Sequence, residues 1–310
     1  MANRFEQDLK MKLGATRMPI TVAQYIRRLR TFNNDESIKS IKFLMDFPKI
    51  SNIIDTMDKA VSTKTSYLTA ICAVLSLFPK YGKIYKLYVE KTNELNASLH
   101  EELESNERNE KQEESIVPLK EITTQRDVLA KEIAKGSPPW DKYLSYVILC
   151  LYTLIQPRRN KDYSEMFFVF DEPETIDSSK NYYVLSTDTF IFNNYKTAQH
   201  KGQQRIKVNP ALAAVLEAYI EYYLQVIPID KKADVYPLLV LKTGARINPT
   251  NGITRILNRT LGKNIGSSAI RHIFLSSKYG SVLKEMKEDA AVMAHGLDTQ
   301  RDYTKTDVVQ

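Results

Sequence analysis

The chain has 310 residues, 43% hydrophobic and 26% charged, which is the composition of a folded protein long enough for two ordinary domains. No apolar run approaches a membrane span, the longest being the core-helix-sized 146–155, and Met1-Ala2-Asn3-Arg4-Phe5-Glu6 carries no apolar signal region, so an intracellular protein with no membrane partner is expected. A net charge of +7 and a pI near 9.1 point away from polycationic partners and toward a polyanion, because lysine and arginine release the counterions condensed on phosphates.

The first third reads as helical. Thr21 is positioned to cap a helix through Tyr25, Ile26 and Leu29. Asp35 opens a second pattern through Ile38, Ile41, Phe43 and Leu44, which Pro48 is expected to end. Thr63 or Thr65 starts an amphipathic helix with Tyr67, Leu68, Ile71, Val74, Leu75 and Phe78, and a longer pattern runs from Ile84 to Leu103. Cys72 and Cys150 both fall inside apolar helical patterns and read as small core residues, not as a disulfide or metal ligands. Lys64, Lys80 and Lys83, on or beside the third helix, are candidates for DNA contact. The apolar period then fails, and Glu, Asn and Gln dominate. The expected division is a helical domain over 1–104, a linker over 105–118 and a second domain over 119–310.

The second domain changes character. Glu121 to Ile133 is helical, Pro138-Pro139 breaks the chain, and Asp141 is placed to cap a helix that is apolar all round and therefore buried. Short β-type runs follow at 167–170, 182–185, 190–195 and 205–208, the last two flanking His200-Lys201-Gly202 as a hairpin. Helices return over 210–226 and through most of 251–295. The expected fold is mainly α with a small antiparallel sheet inserted after the first buried helix.

Four groups in this half suit phosphodiester chemistry without a metal. Arg159 and Arg271 offer planar, permanently charged donors to the non-bridging oxygens of a phosphate. His295 can add a donor, and the Tyr303 hydroxyl can attack phosphorus. Each residue alone is ordinary: the chain has 18 tyrosines, and an arginine at a helix end is common. The order and spacing carry the signal. Arg159 is followed by Asp162 and Met166; Arg158 fits this box less well, because Lys161 then takes the acidic position. Lys196-Thr197 lies at the hairpin, Ser268-Ala269-Ile270-Arg271-His272 forms a second box, and Ala294-His295 precedes Tyr303.

In these boxes the chain resembles the tyrosine recombinase (phage integrase) family, over about 117–310 by motif and over about 16–103 only as a helical domain of the right size and place. The resemblance implies a helical core-binding domain and an α+β catalytic domain that close around duplex DNA. It further implies a 3′-phosphotyrosine intermediate, no cofactor or metal, and a homotetramer on paired recombination sites for a virus or mobile element. Arg159, Lys196, Arg271, His295 and Tyr303 are then catalytic, with Lys196 protonating the departing 5′ oxygen. Asp162, Ser268 and His272 are supporting, and Asp162 is expected to orient Arg159. Two departures stand out: Ser268 replaces a histidine, and His295 to Tyr303 is one residue shorter than usual. The seven residues after Tyr303 also look too few for a C-terminal helix exchanged between protomers. The alternatives are a type IB topoisomerase or a catalytically inactive DNA-binding relative.

Overall fold

The computed structural model describes residues 4–105, 117–228, 230 and 233–304. The chain divides into two compact units, Met1–Arg108 and Asn109–Gln310. Of the expected linker 105–118, residues 106–116 lie outside the described part.

The first unit is built from α1 (Arg4–Gly14), α2 (Pro19–Thr31), α3 (Phe47–Thr56), α4 (Val61–Leu75) and α5 (Gly82–Ser105). Helix α4 is the centre because Leu68, Ala70, Ile71, Ala73, Val74 and Leu75 are all buried. All but Ala70 share one core cluster with Leu9 and Leu13 of α1, Ile26 and Leu29 of α2, and Ile50 and Ile54 of α3. Each fully buried Leu or Ile contributes about 2 kcal/mol by leaving water. Tyr88 of α5 is also fully buried, and its hydroxyl donates to the Leu44 carbonyl at 3.0 Å, so its one polar atom is satisfied.

Two expectations for this unit change. Pro48 does not end a helix but sits in the first turn of α3, where its missing N–H costs nothing, and the Asp46 carboxylate accepts from the Lys49 N–H at 3.2 Å as the cap. The stretch before it forms only a 3-10 turn, Lys42–Met45. Thr21 is not a cap either: α2 begins two residues earlier at Pro19, again with proline at the start.

The second unit contains α6 (Leu119–Ile133), α7 (Trp140–Thr153), α8 (Asn160–Ser164), strands β1 (Met166–Val169), β2 (Asn181–Val184) and β3 (Thr189–Phe192), a single-turn helix α9 (Ala198–Lys201), β4 (Gln204–Lys207), α10 (Pro210–Val226) and β5 (Tyr236–Pro237). It closes with α11 (Gly252–Leu261), α12 (Ser267–Val292) and α13 (Leu297–Tyr303). Helix α7 is buried on nearly every side, as its all-apolar pattern requires. Pro139 occupies the cap position and Asp141 lies in the first turn, so the acid favours the helix through its dipole rather than by capping. Trp140 stacks with Tyr219 and Tyr222 at 5.3 and 6.2 Å and donates from Nε1 to the Val240 carbonyl at 2.9 Å.

The sheet has the order β4-β3-β2-β1-β5 and is mixed, not antiparallel. β1 and β2 run parallel, with Phe167 opposite Tyr182 and Val169 opposite Val184. The connection 170–180 between them is long enough to carry the chain back to the starting edge, which a hairpin loop is not. The remaining pairs are antiparallel, and β3 and β4 form the expected hairpin. Among the described residues no helix is long and apolar enough to cross a membrane.

Candidate active site

The hairpin, the short helix α8 and the start of α12 converge on one open cleft of about 250 Å³, lined by Pro157, Arg158, Arg159, Asp162, Tyr195, Thr197, Lys201, Gln204 and Arg271. Four of these side chains are cationic and one is acidic.

One oxygen of the acid is engaged, and the other, Oδ1, is buried with no hydrogen-bond partner among the described residues. Asp162 is buried and accepts from Arg158 Nε at 2.9 Å, one turn apart on the chain. Burial pushes its carboxyl group up from the usual range, against the pull of Arg158 and, more weakly, of Arg159 and Arg271. Asp162 therefore holds Arg158 and does not orient Arg159. The reason is local: Arg159 is the cap residue of α8, with extended backbone (φ −72°, ψ 149°), so its side chain does not share the helical face of Asp162. Arg158 is further fixed by Nη1 donating to Gln204 Oε1 at 2.9 Å and by its guanidinium lying 3.8 Å from the Phe192 ring centre. Arg159 lines the cleft; its carbonyl accepts from the Asp162 N–H at 3.0 Å, but its side chain makes no hydrogen bond or salt bridge to any described residue. It is the donor left for a ligand.

Arg271 enters from the first turns of α12. Its Nη2 donates to Ser268 Oγ at 3.2 Å and its Nε to the Ser267 carbonyl at 3.4 Å. Ser268 is thus an acceptor that steers Arg271. It does not cap the helix, since Gly266 occupies the cap position.

The hairpin brings a lysine to the cleft, but not the expected one. Lys196 is exposed and absent from the cleft lining, whereas Lys201 faces the cleft. The turn that delivers Lys201 ends in Gly202 at φ +67°, a conformation that disfavours any side chain, and Tyr195 Oη pins it by donating to the Gly202 carbonyl at 2.7 Å. His272 is exposed and does not line the cleft.

His295 and Tyr303 are together but elsewhere. Their rings meet edge to face at 5.6 Å and 82°. His295 Nδ1 lies 3.2 Å from the Gly296 carbonyl, and its Nε2 is buried with no hydrogen-bond partner. Tyr303 is 70% exposed, so its hydroxyl is accessible. Neither lines the cleft. Arg271 and Ala290 lie on the same unbroken helix, which separates their levels by roughly 28 Å at 1.5 Å per residue. The His295 N–H bonds to the Ala290 carbonyl at 3.1 Å, which places the histidine at that far level.

In the first unit Lys64 is committed, its Nζ donating to the Asp55 carbonyl at 2.7 Å. Lys80 lies 4.9 Å from the Tyr81 ring centre and Lys83 is exposed. Among the described residues no three His, Cys, Asp or Glu side chains gather as a metal-binding group. Tyr195, Lys201 and Gln204 have no signal in the sequence that marks them for the cleft. Arg158 has one, its fourth-residue spacing to Asp162. No family model, curated protein or solved structure matches this chain.

Proposed function

We propose that the Asn109–Gln310 unit is the catalytic unit of a DNA strand-transferase of the tyrosine recombinase kind. The observation that carries this reading is the cleft: Arg159, Arg271 and Lys201 point cationic groups into one open pocket whose only carboxylate is buried and neutralised by Arg158. Such a pocket suits a phosphodiester, because two guanidinium groups can hold the non-bridging oxygens as charge builds on them.

In the proposed reaction the Tyr303 oxygen attacks phosphorus and its proton leaves to solvent or a nearby base. The new Tyr–O–P bond forms as the bond to the 5′ oxygen breaks, and Lys201, in the place first assigned to Lys196, gives that oxygen a proton. Attack by a free 5′ hydroxyl on the phosphotyrosine reverses the sequence and rejoins a strand. Ser268 positions Arg271, and Asp162 with Gln204 positions Arg158 as a wall of the cleft. The first unit contributes duplex contact through Lys80 and Lys83, and paired sites held by four protomers complete the recombinase reading. The test is covalent trapping on a nicked duplex that loses its 5′ fragment on cleavage. Wild type is expected to yield a protein–DNA adduct and Tyr303→Phe none, with duplex binding kept.

One observation favours a second reading. Tyr303 stays beside His295 at the Ala290 end of α12, far from Arg271 near its start, as expected if the cleft binds DNA phosphate without cleaving it. In that case wild type binds the nicked duplex and forms no adduct.

A further inference from the structure

The cleft and the tyrosine that would use it are separated within one chain by an unbroken helix. We propose that the site is completed in trans: two copies pair antiparallel along α12, and each supplies His295 and Tyr303 to the other's Arg159–Arg271 cleft. This inference rests on the catalytic reading above.

Three observations converge. First, α13 is too short to bring Tyr303 home, since seven residues of helix span only about 10 Å. The Tyr303 ring in any case stays beside His295, at the far level. Second, α12 has an apolar stripe that the described residues leave largely uncovered. Of its 26 residues only Ile270, Ile273 and Ala290 are buried, while Leu275, Tyr279 and Val282 are 53%, 49% and 49% exposed. With Met286 they follow a four-three-four spacing, which puts them on one stripe of the kind that seats a second helix. Third, the register of that stripe is self-complementary. In an antiparallel pair, Tyr279 faces Val282 of the other copy and Leu275 faces Met286. On the flank Lys278 then falls opposite Glu285, twice by symmetry. Neither has a salt bridge to any described residue of its own chain, whereas Lys284 already pairs with Glu288 at 3.8 Å.

The same register sets the level of Arg271 against Ala290 of the other copy. The apolar stripe and the charge pair, read without reference to chemistry, thus bring each His295–Tyr303 pair to the height of the other copy's cleft. The occupant is therefore a second copy of this chain.

Complementation tests it with the full-length chain. Untagged Tyr303→Phe keeps an intact cleft, and size-tagged Arg271→Ala keeps the tyrosine; Arg159→Ala replaces the latter should Arg271→Ala fail to fold. Neither alone is expected to form an adduct on the nicked duplex. Mixed in equal amounts they are expected to restore about a quarter of the wild-type yield, since random pairing makes half of the dimers mixed and one of their two clefts complete. The adduct must sit on the tagged Arg271→Ala chain. If wild type forms the adduct and the mixture does not, the tyrosine acts in its own chain and the proposal is overturned. Gly280→Ala separates the same cases. Its added Cβ meets no atom within 4 Å and stiffens the helix, so trans assembly keeps the wild-type yield, whereas a fold-back at Gly280 loses it.

If wild type forms no adduct, the catalytic reading has failed, and pairing is judged separately by sedimentation without DNA. Lys278→Glu should weaken the dimer roughly tenfold and Lys278→Glu with Glu285→Lys should restore it. A chain that is monomeric at every concentration overturns the pairing.

Discussion

Asp162 selects between two adjacent arginines, and the selection follows from backbone geometry. Arg158 lies in the non-helical segment just before α8, from which its Nε reaches Asp162, whereas the side chain of Arg159, at the cap, has no hydrogen bond or salt bridge to a described residue. Arg158→Met is expected to cost about 3 kcal/mol in chemical denaturation, because it leaves a buried carboxylate without its partner. Arg159→Met should leave stability nearly unchanged and remove adduct formation. Ser268→Ala tests the neighbouring hydrogen bond. It deletes the acceptor that steers Arg271 and should slow single-turnover cleavage about tenfold with no loss of thermal stability, since the serine caps nothing. Lys201→Ala should slow cleavage far more than Lys196→Ala, and a 5′-thio leaving group, which needs no proton, should rescue it. The sequence boxes bring out Arg159, Asp162 and Arg271 because motif spacing survives in a short helix and a helix start. They do not single out Lys201, which lines the cleft where Lys196 does not, because a turn's path depends on one glycine φ and one tyrosine hydrogen bond, neither visible in spacing.

At the level of elements, helices with strong apolar periods are legible, among them Pro210–Val226 and the buried Trp140–Thr153, and so are β1 to β4. Pro48 misleads because proline ends one helix and begins another with equal ease, and only the cap hydrogen bond from Lys49 to Asp46 distinguishes them. The parallel pairing of β1 with β2 is illegible because local alternation does not encode strand direction. The tie between α1 and α2 is equally hidden in the sequence. Glu6 is fully buried there and accepts from Arg30 Nη2 at 2.6 Å, from Arg30 Nε at 3.1 Å and from the Ile38 N–H at 3.0 Å, with Lys10 at 2.8 Å. Burial alone would raise its pKa, but the bonds from Arg30, Lys10 and Ile38 prevail and bring it down to about 2. A lowered carboxyl pKa stabilises the fold fully above the unfolded value of 4.5, and that contribution is lost as pH falls toward about 2. Glu6→Gln should therefore lower stability by about 3 kcal/mol at neutral pH, and the gap to wild type should close between these two pH values in an acid titration followed by circular dichroism.

For the molecule as a whole, charge and the two-unit division bear on how it would hold DNA. Each unit has its own apolar core, so each can be expressed alone, as residues 1–108 and 117–310. If both touch one duplex, their linkage raises affinity through effective concentration, and either unit alone should bind far more weakly than the full chain. Equal affinity of 117–310 and the full chain would remove the first unit from the interface. The lysines of that unit sharpen the test. Lys83 is exposed and Lys80 is held only by a ring face, so both can turn to a phosphate, whereas Lys64 is engaged by the Asp55 carbonyl. Removing a lysine that neutralises one phosphate lowers the slope of log affinity against log salt by about 0.9. The Lys80→Ala, Lys83→Ala double variant should thus flatten the slope by about 1.8, and Lys64→Ala should leave it almost unchanged. A slope change confined to Lys64→Ala would mean that its bond to Asp55 opens on DNA. The duplex would then lie against the α3–α4 junction instead of the start of α5, on the side of the bundle where Lys64 and Asp55 meet.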